Sequence, residues 1–160
     1  MKRLILIVFC FVFVFSMVYA GDFIGVKKCK MCHKGEKKGN VFEKWEKGPH
    51  AKAFESLKAK GKETDPACLE CHVTGFNTTG YKVGAANAAD FEGVQCESCH
   101  GAGSDYKSMS VMKDKKLSME KGLIEPSEEV CKKCHNEKSP TFKGFDFKEW
   151  VKKIDHTYTK

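Results

Sequence analysis

The sequence predicts a mainly α, loop-rich fold in one small domain, and three observations predict it. Nine cysteines crowd a chain of 160 residues, and eight of them fall into four copies of one five-residue frame. The apolar residues outside those frames form short stripes at helical spacing, with little strand-like alternation. The chain also has too few residues per frame for each to build a side-chain core of its own.

The N-terminus comes first. Lys2 and Arg3 precede an uncharged apolar run from Leu4 to Ala20, and Val18-Tyr19-Ala20 fits a signal-peptidase site. Residues 1–20 are therefore expected to be a Sec-type signal peptide and 21–160 a single exported domain. The run is at the short edge of what spans a bilayer, so membrane attachment is expected only if the signal stays uncleaved. Cys10 belongs to this leader. The remaining chain carries 26 basic and 21 acidic residues. Its scattered lysines, with no aromatic-interleaved basic stripe, read as solvated faces and exclude a nucleic-acid site.

The four frames are Cys29-Lys-Met-Cys32-His33, Cys68-Leu-Glu-Cys71-His72, Cys96-Glu-Ser-Cys99-His100 and Cys131-Lys-Lys-Cys134-His135. So dense a set of thiols excludes an ordinary reduced cytosolic globule. Four disulfides would give no reason for a histidine after every second cysteine. Zinc would need only two Cys-x-x-Cys pairs per ion and no adjacent histidine. Cys-x-x-Cys-His is the attachment frame of a c-type haem. Two thiols add to the two vinyl groups of the porphyrin, and the next residue's imidazole reaches the iron. Four covalent haems are therefore predicted, one per frame.

The intervals between frames are uneven, which excludes a solenoid repeat. A compact chain of this length has a radius of gyration of roughly 14 Å. Four porphyrins in that volume lie nearly in contact. They form most of the core and a stacked electron wire.

The remaining elements follow in order. Pro49 suits the first turn of a helix whose apolar stripe is Ala53, Phe54 and Leu57. Residues 76–83 read as a small hairpin around Asn77-Thr78-Thr79-Gly80, and 84–90 as a surface loop. Residues 109–119 look flexible. Ser127-Glu128-Glu129 opens a short helix carrying Cys131 to His135. Asp146 and Glu149 form a capping box for a last helix with Phe147, Trp150, Val151 and Ile154 on one face.

Axial ligands can be counted. Four six-coordinate irons need eight, and His33, His72, His100 and His135 supply four. Only His50 and His156 remain among six histidines. Two irons therefore need a methionine, an open position or a neighbouring chain. Met31 is pinned inside its own frame, which leaves Met109, Met112 and Met119. On a continuous last helix His156 would point away from the apolar stripe, so that helix must end early or bury both faces.

With these residues in view the sequence resembles the tetrahaem cytochrome c-554 family. The matching pieces are Cys29 to Lys34, Trp45, His50-Ala-Lys-Ala-Phe-Glu-Ser-Leu57, Cys71-His-Val-Thr-Gly-Phe76 and Gly80-Tyr81. They continue with Gly93-Val-Gln-Cys-Glu-Ser-Cys-His-Gly-Ala-Gly103 and Asp155-His156-Thr157-Tyr158. The resemblance implies a mainly helical fold around stacked haems. It implies a distal ligand at His50 for the third-frame haem, one at His156 for the fourth, and a five-coordinate haem on His72. It also places a distal histidine shortly after the third frame, where this chain has Met109-Ser110. Carried over, Met109 ligates the first-frame iron.

The expected function is a periplasmic tetrahaem carrier, a monomer, that shuttles single electrons between redox partner proteins. One alternative is an enzyme acting at the open second haem on nitric oxide, hydroxylamine or nitrite. Another is a subunit of a conductive cytochrome filament. No carboxylate dyad or serine triad points to other catalysis.

Overall fold

A computed structural model describes residues 21–156. The expected leader with Cys10, and Thr157 and Tyr158, lie outside the described residues.

The first helix, α1 (Val26–His33), starts after Gly25, whose φ of 77° suits glycine. A 3-10 turn at Glu36–Lys38 leads to α2 (Val41–Lys47). Its Phe42 is buried, and Trp45 lies one turn on with ring centroids 5.5 Å apart. Past Pro49 the chain makes a 3-10 turn, His50–Lys52, before α3 (Ala53–Lys58). Phe54 and Leu57 of α3 are buried, as their i, i+3 spacing predicts. Asp65 caps α4 (Pro66–His72): its Oδ1 accepts the Ala67 N–H at 3.1 Å, and Pro66 takes the first turn.

Residues 76–83 do not form the expected hairpin. The described residues hold no strand, only an isolated antiparallel bridge between Val73 and Glu92. The chain instead coils on itself with Gly75 at φ 67° and Asn77 at φ 58°. A Cβ at Gly80 would run into the Thr74 carbonyl, so the coil closes too tightly for any side chain there. The expected loop at 84–90 runs into a 3-10 turn at Ala88–Phe91.

The third frame forms α5 (Cys96–His100). Residues 109–119 are ordered as a helical hairpin, not a flexible stretch. Ser108 caps α6 (Met109–Met112), and Asp114 caps α7 (Lys115–Glu120). The buried Ser118 hydroxyl locks the pair by donating to the Val111 carbonyl at 2.8 Å. α8 (Glu128–Lys132) opens after Ser127 as predicted but stops before Cys134 and His135. α9 (Phe147–Ile154) starts at Asp146, whose Oδ1 accepts the Glu149 N–H at 3.1 Å. The Glu149 carboxylate turns to Lys152 instead of closing the capping box.

Side chains build one compact cluster: Phe54, Leu57, Leu69, Val73, Tyr81 and Phe91. It joins α3, α4 and the 74–91 coil, with Phe54 and Tyr81 rings 5.4 Å apart. Neither α8 nor α9 has a buried residue. The C-terminal third therefore has no side-chain core of its own.

Candidate functional site

In α1, α4 and α5 the frame residues occupy i, i+3 and i+4 of a helix. Both thiols and the imidazole thus share one face, and each histidine is the last helical residue. In the fourth frame α8 carries Cys131, and Cys134 and His135 follow in a turn. The His135 N–H still donates to the Cys131 carbonyl at 3.0 Å, so the same local curl is kept.

Sulfur contacts order the frames in space. The Cys29 thiol donates to the Gly25 carbonyl at 3.8 Å. The neighbouring Cys96, with burial, pushes the Cys29 pKa up, and Cys29 lowers that of Cys96, so frames one and three adjoin. Burial pushes Cys99 up to about 11, with the neighbouring Cys131 adding to it, so frames three and four adjoin. Burial also raises Cys134, and the field and hydrogen bond of Cys71 add to this, so frames four and two touch. The line runs first, third, fourth, second.

The histidines sort along that line. The His100 and His156 ring centroids stand 6.1 Å apart, and those of His50 and His135 stand 6.0 Å apart. Two imidazole nitrogens each about 2 Å from a shared metal ion need about this separation. His33 and His72 have no histidine ring against them among the described residues, and the sequence holds no seventh histidine. So the middle frames meet a histidine from each side, and the end frames do not.

The ring placement differs from the pairing that the resemblance implied, His50 with the third frame and His156 with the fourth. The His50 backbone is tied to the third frame's approach, since its carbonyl accepts the Val94 N–H at 3.0 Å. Its ring nevertheless lies against His135. At the other end, Trp150 packs on His135 at 5.4 Å and seats α9 on the fourth frame. α9 then ends at Ile154, and an extended Asp155 swings His156 over to His100. The helix ends early, as the position of His156 requires.

Hydrogen bonds orient three of the rings. The Nδ1–H of His72 donates to the Ala53 carbonyl at 2.7 Å, that of His100 to Ile124 at 3.1 Å, and that of His156 to Ile154 at 2.9 Å. A carbonyl only accepts, so Nε2 keeps its lone pair for a metal. Burial holds His33, His50, His100 and His135 below the usual imidazole range, which keeps them neutral. One cleft is lined by Cys96, Cys99, His100, His156 and His50 and walled by Trp45, Val94 and Ile154. Thiols, imidazoles and apolar walls together suit a covalent haem. Met109 begins α6 and is 64% exposed; it lies three residues past Tyr106, whose hydroxyl lies in the field of Cys29.

Two residues escaped the sequence reading. Glu97, inside the third frame, is 2% exposed. Its carboxylate accepts the N–H groups of Ile24, Gly25 and Gly103 at 3.0, 2.8 and 2.7 Å, which clamps the start of α1 onto α5. Thr74 is fully buried. Its hydroxyl donates to the Gly93 carbonyl at 2.9 Å and meets Ser98 of the third frame at 3.0 Å. Glutamate within Cys-x-x-Cys carries no signal by itself, because two of its three partners, Ile24 and Gly25, lie more than 70 positions upstream.

Four adjoining frames in a strandless helical shell define a multihaem c-type cytochrome, with covalent haem c as its cofactor. Residues 28–101 match the family model described as cytochrome c554 and c-prime. Cytochrome c-554 of Nitrosomonas europaea is 31% identical over 173 aligned positions, spanning 90% of this chain and 72% of the relative. The solved structure of reduced cytochrome c554 from the same organism matches with a TM-score of 0.66 at 30% identity. That match covers 85% of this chain and 84% of the other. The chain belongs to the cytochrome c554 family and is an electron-transport protein.

Proposed function

We propose that the protein is a periplasmic shuttle that carries single electrons between redox partner proteins along the line first, third, fourth, second. The observation that carries this is the pair of histidine couples at 6.0 and 6.1 Å within one row of frames. In this reading Cys29, Cys32, Cys68, Cys71, Cys96, Cys99, Cys131 and Cys134 hold the haems as thioethers. His33, His72, His100 and His135 are proximal ligands. His50 faces His135, His156 faces His100, and Met109 serves the first frame. When bound, the haem irons supply reversible one-electron chemistry between Fe(III) and Fe(II).

The chain's own side chains set the rest. Imidazoles from both sides exclude water from the middle positions, and the Ile124 and Ile154 carbonyls fix the rings of His100 and His156. A thioether opposite His33 would raise the potential there relative to a histidine pair. The leader ending at Ala20 supports the periplasm, and among the described residues no helix is long and apolar enough to cross a membrane.

A potentiometric titration tests this, with four one-electron steps expected; a redox-silent protein ends it. Low-temperature electron paramagnetic resonance (EPR) of the oxidised protein is expected to count three low-spin irons and one high-spin iron.

One observation favours a second reading. His72 has its Nδ1 engaged and no histidine left in the chain for its far side, so a small nitrogen species can bind there. Nitric oxide or carbon monoxide added to reduced protein is expected to change the spectrum of one haem. No change would leave the carrier alone.

A further inference from the structure

We propose that the segment from Val26 to Asn40 is a docking face for the acidic surface of a one-electron redox protein, presented by the first frame. This rests on the carrier reading above. On the outer face of α1, away from the frame residues, Met31 is 70% exposed and forms a small apolar centre. Around that centre stand Lys27, Lys28, Lys30, Lys34, Lys37 and Lys38, all exposed, against Glu36 and Glu43, whose carboxylate accepts the Gly35 N–H at 3.0 Å. Lys27 is paired with Asp90 at 2.6 Å. No ion pair among the described residues takes Lys28, Lys34, Lys37 or Lys38.

With Glu36, Glu43 and Asp90 counted, the face carries three net positive charges, and two haem propionates would still leave it positive. The opposite end differs. From residue 53 to 89, around the second frame, four acids balance four lysines. The line of frames therefore ends in one basic pole and one near-neutral pole. An apolar centre ringed by like charge steers a partner of opposite charge onto this end of the row. Helix α1 accounts for the ring: frame residues fill one face, so Lys27, Lys28, Lys30 and Met31 are left to the other.

The test uses the four-haem protein and oxidised flavodoxin, an acidic one-electron redox protein, as probe. Lysine acetylation read by mass spectrometry is expected to show Lys28, Lys34, Lys37 and Lys38 protected in the mixture, and Lys82 and Lys121 unprotected. Calorimetric titration at low ionic strength is expected to show Kd weakened about tenfold or more in the Lys34→Glu/Lys37→Glu variant. Lys82→Glu should change it by less than about twofold. Protection elsewhere, or equal effects of the two reversals, would overturn the proposal. So would protection of the same lysines by phosphatidylserine vesicles but not by flavodoxin, which would assign the face to a membrane surface. Reduction by dithionite is followed on the same sample. Protein that reduces but gives no protection loses the docking face alone, and protein that does not reduce loses the carrier reading.

Discussion

The two middle frames and the two end frames are built from the same five residues, yet their surroundings differ in every respect that controls an iron. The third and fourth frames meet a histidine ring about 6 Å away, and the C-terminal helix bridges both. Among the described residues the first and second have no such ring. Local chemistry attaches a haem, and distant chain decides what that haem does. His50 lies 85 positions from His135, and His156 lies 56 positions from His100.

The strongest way to break the comparison is to empty a middle frame. Cys96→Ala with Cys99→Ala is expected to lower the haem count from four to three in the pyridine haemochrome spectrum. It should also cost about 5 kcal/mol or more in thermal unfolding, because a cofactor is lost from the centre of the row. The same pair of changes at Cys29 and Cys32 should cost clearly less, since that frame ends the row and has a neighbouring frame on one side only. Equal losses would show that middle and end are not distinct in stability.

Next in size is Glu97→Ala. Three N–H groups, from Ile24, Gly25 and Gly103, lose their acceptor. With each unsatisfied donor worth about 1–3 kcal/mol, a loss of about 3–5 kcal/mol is expected from thermal melts. Glu97→Gln keeps an amide oxygen to accept and should lose roughly half as much. A melt unchanged in Glu97→Ala would remove the clamp between the first and third frames.

Ligand changes sharpen the comparison without unfolding it. His156→Ala should convert one low-spin iron to high-spin in the EPR spectrum of the oxidised protein, and His50→Ala should do the same at the other middle frame. Met109→Ala tests the first end: one more high-spin centre supports the thioether there. If the unaltered protein already shows two high-spin centres, both ends are open and Met109 is only a surface residue of α6.

The frames were legible because covalent attachment needs a fixed local spacing. The helix at 53–58 and the cap at Asp146 were legible because a buried stripe and a side-chain cap are also local. The hairpin expected at 76–83 failed for a physical reason. A tight coil stitched by Thr74 to the third frame replaced strand pairing, and Asn-Thr-Thr-Gly reads alike in both. The order of the frames was not legible, since the sulfur contacts that set it join residues 67, 63 and 32 positions apart. The ring placement of His50 and His156 was hidden because likeness by position follows the backbone, and here ring and backbone of His50 answer to different frames.

The smallest effect tests the second end. The Nδ1–H of His72 donates to the Ala53 carbonyl at 2.7 Å, and the Ser56 hydroxyl, 3.3 Å from the same nitrogen, donates to that carbonyl at 2.6 Å. Ser56→Ala removes the second donor, leaving the carbonyl wholly to His72. The bond to Nδ1–H should then strengthen slightly and make Nε2 a better donor to iron. A stronger donor favours Fe(III), so the second-frame potential should fall by an amount worth less than about 1 kcal/mol. The other three potentials should stay in place. A shift at the middle frames instead would mean that His72 does not stand at the end of the row, and the contrast between ends and middle would have to be redrawn.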